Sequence, residues 1–267
     1  MTGTPMTWLV RSEFKKISST RLWWGLLLGG VVFTLITAGV TAGFAGVEPG
    51  AGQPASPGLD TDEAIRSVYG LSTFSGMYIF ALILGITGMT GEYRYQTITP
   101  TFLVSPRRSR VVTAKLLAHV VMGLFFGLVA AVSALVVGAI VIAVRGYDLG
   151  FDATRLWPTI GLAVVAVAIW TVVGVGIGTL IRNQIVAILL AILITFLIEP
   201  LVTLALAALD LDVIVKWLPT NASSALMEPG ETMVELLAWW AGGLVLLGYG
   251  LVLAVLGVVL SVRRDVS

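Results

Sequence analysis

Six apolar runs, each long enough to cross a lipid bilayer, limit what this chain can fold into. A membrane-spanning helix needs about 20 apolar residues, and only helices or closed barrels satisfy every backbone donor and acceptor within a bilayer. The charged residues make up 12% of the 267 positions, far below the roughly 25% of soluble domains. The sequence therefore predicts an all-α, polytopic membrane protein with a single transmembrane domain over residues 1–267. The predicted spans are approximately Leu22–Ala45, Tyr69–Thr90, Val112–Val144, Trp157–Ile181, Ile185–Leu209 and Leu236–Val262.

Lysine and arginine are distributed unequally between the two membrane faces that these spans define. Twelve lie in the termini and in the second-to-third and fourth-to-fifth connections, against four on the opposite face. An excess of basic residues is typical of the cytoplasmic side. We therefore expect both termini and the polar segment 92–111 to lie in the cytoplasm. The four residues on the other face are Arg66, Arg145, Arg155 and Lys216.

Two segments outside the spans have the pattern of helices that lie along a membrane surface. Between residues 6 and 20, apolar residues recur at spacings of three to four, and charged residues such as Glu13 and Lys16 occupy other positions. This pattern predicts an amphipathic interfacial helix. Residues 210–235 mix short apolar pieces with prolines and a glycine, which predicts re-entrant or interfacial helices on the outer face. The apolar set of the first segment is Met6, Leu9, Val10, Phe14 and Ile17.

The motifs that enzymes and metal sites need are absent from the sequence. There is no G-x-x-x-x-G-K-[ST] phosphate loop and no H-E-x-x-H motif. The chain has no cysteine and one histidine, His119, which alone cannot build a zinc site. A proton-relay role for His119 stays open, although a relay requires a chain of partners. We expect no catalytic residue, no cofactor site and no metal site in this chain.

The segment from residue 92 to residue 111 is the one long polar and basic interruption between the spans. Helical residues run from Glu92 to Thr99, two prolines follow, and Ser109 can cap the third span. Glu92 is expected to form a salt bridge with Arg94 or Arg110. Two interpretations of the segment stay open.

In the first interpretation the basic residues only anchor the protein to anionic lipid headgroups. In the second, the apolar residues fill a groove on a soluble partner while the arginines orient it. The basic residues are Arg107, Arg108, Arg110 and Lys115, and the apolar residues are Ile98, Phe102, Leu103 and Val104.

Glu199 stands inside the fifth apolar run, next to Pro200. A charge near the middle of a bilayer costs about 2.5–3.5 kcal/mol on insertion scales, so a compensating interaction is required. Glu199 and Pro200 could form a gate, with the carboxylate facing a cavity and its substrate and the proline breaking the helix. Alternatively, Glu199 has a structural role and is protonated or bonded to a hydroxyl of a neighbouring span, such as that of Thr171.

Several glycines have the small-xxx-small spacing that allows helices to approach closely. We expect this set to pack within the chain rather than across a dimer seam, because glycine is common in membrane helices. The set is Gly174, Gly176, Gly178, Gly25 and Gly29.

Two stretches carry a resemblance to a known family. LVRSEFKKISSTRLWWGLLL (9–28) and GEYRYQTITPTFLVSPRRSRVVTAKLLA (91–118), together with the order of six spans, resemble the membrane subunits of ATP-binding-cassette exporters of the type-2 permease (ABC-2) class. The actinobacterial half-transporters look most similar. The resemblance implies a bacterial cell membrane protein that moves a hydrophobic or amphipathic substrate such as a drug, a peptide antibiotic or a lipid.

The resemblance also implies roles for particular residues and partners. The N-terminal segment would be an elbow helix, with Glu13, Phe14 and Lys16. A coupling helix would dock into a separate ATPase subunit that binds ATP and Mg, and the assembly would contain two ATPase copies and a second permease chain, identical or different. The coupling residues would be Gln96, Thr97, Ile98, Thr101, Phe102, Leu103, Arg107 and Arg108.

Two other functions remain open on the sequence. A membrane-anchored scaffold or immunity protein that transports nothing could use the same cytoplasmic segment for binding. A proton-driven secondary transporter would need more intramembrane acids than Glu199 alone.

Overall fold

The computed structural model describes residues 5–47, 56–97, 108–209, 211–227 and 236–264. These residues form helices and connecting turns, and the described part contains no strand. The elements are α1 (Met6–Ser19), α2 (Leu22–Phe44), α3 (Asp62–Arg66), a first π-helix (Ser67–Leu71), α4 (Ser72–Arg94), α5 (Arg108–Val144), α6 (Leu156–Leu180), α7 (Gln184–Leu193), a second π-helix (Ile194–Ile198), α8 (Glu199–Ala207), α9 (Asp212–Val215), α10 (Pro219–Met227) and α11 (Trp239–Arg264).

Six helical segments of the described part are long and apolar enough to cross a membrane, so the prediction of six spans is confirmed. Their bounds are Leu22–Phe44, Asp62–Arg94, Ser109–Val144, Leu156–Leu180, Gln184–Ala207 and Trp239–Leu260. The second span is longer than predicted because α3 and the first π-helix continue into α4 without a break.

The second and fourth spans form the centre of the protein. Each is 72% buried over its most apolar stretch, whereas the first, fifth and sixth are 22% buried. Helix α6 packs along α4, α5 and α11, and α2 packs on α4 and α5. Met77 and Leu82 of α4 and Val167 of α6 belong to the same buried core. The outer spans therefore surround a central helix pair and expose apolar side chains, as lipid contact requires.

Glycines allow the central helices to come into backbone contact. A Cβ atom at Gly174 would collide with the Leu82 carbonyl of α4, and one at Gly85 would collide with the Thr171 carbonyl of α6. Gly176 and Gly178 contact α11 and α4 in the same way. The prediction of packing within the chain is confirmed for these glycines and for Gly29, which lies against Phe80 of α4, but it is wrong for Gly25, which has no such neighbour.

Candidate functional site

Four charged side chains from three helices meet where α1 lies against the ends of α4 and α5. Lys16 Nζ donates to Glu13 Oε1 and to Glu92 Oε1, each at 2.7 Å. Lys115 Nζ donates to Glu92 Oε1 at 2.9 Å and also to Glu13 Oε2. These four residues, Glu13, Lys16, Glu92 and Lys115, are called the ion cluster below.

The ion cluster is buried although it holds four charges. Lys115 is 1% exposed, Glu13 is 3% and Glu92 is 5%; the side chain of Lys16 is 40% exposed. Burying an isolated charge is very costly, but two carboxylates and two ammonium groups cancel one another here. Removing one member leaves an uncompensated buried charge, so the cluster holds the three helices together only while it is complete.

The charges on α1 are stabilised by their neighbours. Burial favours the neutral form of Glu13, but the ammonium groups of Lys115 and Lys16 outweigh it and hold the pKa of Glu13 below its ordinary value. Burial would lower the pKa of Lys16, but the carboxylates of Glu13 and Glu92 raise it above its ordinary value. Both residues of α1 are therefore charged at neutral pH.

Local sequence explains how α1 presents a carboxylate to the protein interior. Glu13 follows Val10 by three residues and precedes Ile17 by four, which places all three on one helix face. Ile17 is buried, and Val10 and Phe14 pack against the same core. The prediction that Glu13 lies away from the apolar face is wrong, because Lys115 and Lys16 supply partners there.

The structure also corrects two predictions about α4 and α5. The pairing of Glu92 with Arg94 or Arg110 is wrong, since Glu92 binds Lys16 and Lys115; Arg94 instead donates to Gln184 at 3.4 Å. An anchoring role in lipid headgroups is wrong for Lys115, which is buried. Sequence reasoning named each member of the ion cluster but did not bring them together.

Residues that follow α4 leave the helix earlier than predicted. The helix ends at Arg94, and Gln96 has a φ of 56°, in the left-handed region, so the predicted helix from Glu92 to Thr99 is wrong. Thr97 N donates to the Glu92 carbonyl at 2.9 Å, which holds Thr97 against the last turn of α4.

The other residues predicted to couple to an ATPase are only partly described. Helix α5 begins at Arg108, so Ser109 lies within its first turn and does not precede it as a cap. The backbone of Arg108 is described but its side chain is not. The predicted contacts of Ile98, Thr101, Phe102, Leu103 and Arg107 lie outside the described residues.

A cavity of about 360 Å³ opens beside the ion cluster. Its walls come from α1, α2, α4, α5 and the first residue of α7, and they include all four charged residues of the cluster and His119. We call it the interfacial cavity.

His119 connects the ion cluster to the central helices. Its Nδ1 atom donates to the Lys115 carbonyl at 2.8 Å, in the tautomer that carries a proton there, and its own carbonyl accepts from Thr171 Oγ1 at 2.9 Å. The imidazole is completely buried and lies against Gly88. His119 therefore connects α5 to α4 and α6.

Glu199 lies in a different part of the molecule. Gln184, which lines the interfacial cavity, precedes it by 15 residues, a rise of about 22 Å along a helix. Glu199 is 5% exposed, and its Oε1 atom accepts from the Thr220 backbone N–H at 2.5 Å. The suggested bond to Thr171 is wrong, because that hydroxyl donates to the carbonyls of His119 and Ala168.

The cost of burying Glu199 is thus compensated by its hydrogen bond to the beginning of α10. Thr220 is the second residue of that helix, where backbone N–H groups lack intrahelical partners and favour a negative charge. Pro200 lacks the N–H that would bond to the preceding turn, and the helix widens into the second π-helix directly before Glu199. Trp170 Nε1 donates to Ser223 Oγ at 2.9 Å, which fastens α10 to α6.

Comparison with known families agrees with this architecture. The family described as ABC-2 family transporter protein matches residues 9–198, from α1 through the second π-helix. No curated protein matches the chain. The matched part covers most of α1, four complete spans, the first part of the fifth span and the whole ion cluster. The chain therefore belongs to the ABC-2 transporter family, and it is a membrane-spanning permease subunit of an ABC transporter that works with an ATP-binding subunit.

Proposed function

We propose that this chain is the permease of an ATP-driven exporter for a hydrophobic or amphipathic substrate, and that the ion cluster transmits the movement of the ATPase to the membrane helices. The proposal rests on the observation that the ion cluster joins α1, α4 and α5. Its members are Glu13, Lys16, Glu92 and Lys115. Residues 95–107 connect α4 to α5, so a force applied there reaches the two helix ends that the cluster joins.

The route from the cluster to the centre of the molecule is short. Glu92 lies in the last turn of α4, and α4 packs against α6 along the buried core. Because interiors are close-packed, a displacement of the end of α4 is passed on to its neighbours. We propose that α1 moves with α4 and α5 as one unit when the ATPase closes.

The absence of a phosphate loop in the sequence indicates which subunit would bind ATP. The chain has no phosphate loop, so ATP and Mg would be bound by the partner subunit. By the family resemblance, the proposed assembly has two ATPase copies and a second permease chain, identical or different. The proposed location is the bacterial cell membrane with both termini in the cytoplasm, which agrees with the excess of basic residues on that side.

Co-purification tests the docking half of the proposal. The permease is co-expressed with its ATP-binding subunit, and Phe102→Asp or Arg108→Glu should release the ATPase from the detergent-solubilised complex. The control is Lys216→Glu, which changes a basic residue on the opposite face and should keep the ATPase bound. Size-exclusion chromatography checks that each permease variant remains folded.

A second variant tests the coupling half. Glu13→Gln keeps an oxygen that accepts hydrogen bonds but removes a charge from the ion cluster, so the ATPase should stay bound while export per ATP hydrolysed falls. Unchanged export per ATP would refute the role of the cluster. Retention of the ATPase by both docking variants would refute docking through this segment.

A further inference from the structure

One side of α1 turns away from the helix bundle and carries an aromatic residue and two basic residues. Trp8, Arg11 and Lys15 are spaced by three and four residues, so they lie on the same side of the helix. Trp8 is 69% exposed, and Arg11 and Lys15 are exposed as well. The opposite side, with Val10 and Ile17, packs against the core. Trp8, Arg11 and Lys15 are called the outward face of α1 below.

The positive charge of the outward face is not balanced by nearby acidic residues. Residues 1–47 contain one acidic residue, Glu13, and residues 69–147 contain one, Glu92. These ranges include the whole connection between α4 and α5. Both carboxylates belong to the ion cluster, where two ammonium groups neutralise them. Within the part of the chain that the structure describes, neither basic residue of the outward face forms an ion pair, so the face keeps both positive charges.

Helix α1 lies at the depth of lipid headgroups. Leu22, the first residue of the first span, follows the end of α1 by three residues. Lys16 bonds to Glu92, which stands two residues before the second span ends. Tryptophan is enriched at this depth of a membrane, and long basic side chains extend along apolar surface toward the headgroups. The outward face is therefore within reach of phospholipid headgroups.

We propose that the outward face of α1 binds phosphatidylglycerol, an anionic phospholipid. The guanidinium group of Arg11 and the ammonium group of Lys15 donate to the lipid phosphate, and the ring of Trp8 packs beside the glycerol backbone. A zwitterionic lipid carries an ammonium group beyond its phosphate, which two cations repel. The bound lipid then holds α1 from outside, while the ion cluster holds it from inside. The proposed site is separate from the interfacial cavity and does not depend on the proposed function.

Native mass spectrometry of the purified, delipidated permease tests the proposal with three probes: phosphatidylglycerol, phosphatidylcholine and the soluble headgroup glycerophosphoglycerol. Each basic residue near an anionic lipid surface contributes about fivefold in affinity. The double variant Arg11→Gln, Lys15→Gln should therefore bind phosphatidylglycerol about 25-fold more weakly than the wild type and should bind phosphatidylcholine unchanged. An unchanged affinity for phosphatidylglycerol would overturn the proposal. Equal affinity of the wild type for glycerophosphoglycerol would show that the occupant is a free phosphate ester and not a lipid.

Two control variants separate charge from shape. Arg11→Lys together with Lys15→Arg keeps both charges and should keep the preference for phosphatidylglycerol; loss of the preference would refute the electrostatic basis. Lys216→Gln removes a basic residue from the opposite membrane face and should not change the affinity for phosphatidylglycerol. If the double variant does not fold by size-exclusion chromatography, Lys15→Gln alone should still show a fivefold loss.

Co-purification distinguishes the lipid from a protein occupant. The double variant Arg11→Gln, Lys15→Gln should retain the ATP-binding subunit as the wild type does, because the outward face is assigned to lipid. Release of that subunit together with unchanged lipid binding would assign the face to the ATPase and overturn the proposal.

Discussion

At the residue scale, Lys115 is the member of the ion cluster on which most of the charge balance depends. Its ammonium group bonds to both carboxylates and is 1% exposed. Water does not reach this buried position, so it cannot replace the ammonium group of Lys115. The cluster therefore depends on Lys115 more than on Lys16, whose side chain is 40% exposed and whose charge is partly screened by water.

Replacement of Lys115 by methionine should destabilise the protein. Lys115→Met preserves the length of the side chain but leaves two buried carboxylates with one ammonium group, a loss of about 3–5 kcal/mol. Thermal unfolding in detergent measures it, with Lys15→Met on the exposed face of α1 as control. If neutralising Glu13 as well, by Glu13→Gln, restores none of the lost stability, the charge imbalance is not the cause.

Two substitutions distinguish a structural role of Glu199 from a role as a gate. Glu199→Gln keeps an oxygen that accepts from Thr220, so folding and export should both be retained. Glu199→Leu leaves a buried N–H without a partner and should lose about 1–3 kcal/mol of stability. Unfolding temperature and export are measured together. A glutamine variant that is stable but does not export would show that the carboxylate acts as a gate.

The sequence predicted which helix carries each residue of the ion cluster, but it did not predict which of these residues bond to one another. Glu13 and Lys16 were placed on the N-terminal helix, and the structure has them there. The apolar face formed by Val10, Phe14 and Ile17 could have revealed that Glu13 points inward. Its contact with Lys115, however, joins residues 102 positions apart, and no local pattern specifies how α1 is docked.

At the scale of elements, the close contact of α4 with α6 explains why these helices form the centre. Backbone atoms of one helix touch glycines of the other at Gly85 and Gly174. Without a hydrophobic driving force between helices in lipid, association depends on such close packing. The other spans are less buried.

Gly174→Val should force the central helices apart. The new side chain collides with the Leu82 carbonyl, and overpacking of this kind costs about 1–3 kcal/mol. Gly161→Val is the matched control in the same helix, because nothing lies within 4 Å of a Cβ atom at Gly161. The unfolding temperatures of both variants are compared with that of the wild type; equal values for the two variants would contradict the central role of this contact.

The spans were predictable because the thickness of the bilayer sets the length of their apolar runs. The residues at which the helices end were harder to predict. Helix α4 ends at Arg94 because the backbone has a positive φ at Gln96. A glutamine in the sequence does not predict this conformation. Pro200 predicted a disturbed helix, but the form of that disturbance, a π-helix over Ile194–Ile198, depends on the packing around it.

At the scale of the whole molecule, the orientation in the membrane remains a prediction from charge. The chain has no cysteine, so single cysteines can be introduced without removing others. In intact cells, a membrane-impermeant maleimide should label Asp152→Cys, in the turn between α5 and α6. It should label Ser18→Cys, exposed on α1, only after lysis. The reverse pattern would place the ion cluster and the coupling segment outside the cell.

The ion cluster also sets an order of events during synthesis. Glu13 leaves the ribosome 102 residues before Lys115, and chains emerge from their N-terminus. Until the third span has been inserted, the acidic group of the elbow has only its neighbour Lys16 to neutralise it, and the helix cannot settle against the bundle. Nascent chains that stop short of Lys115 should therefore remain accessible to proteases at their first twenty residues, whereas longer chains should become protected.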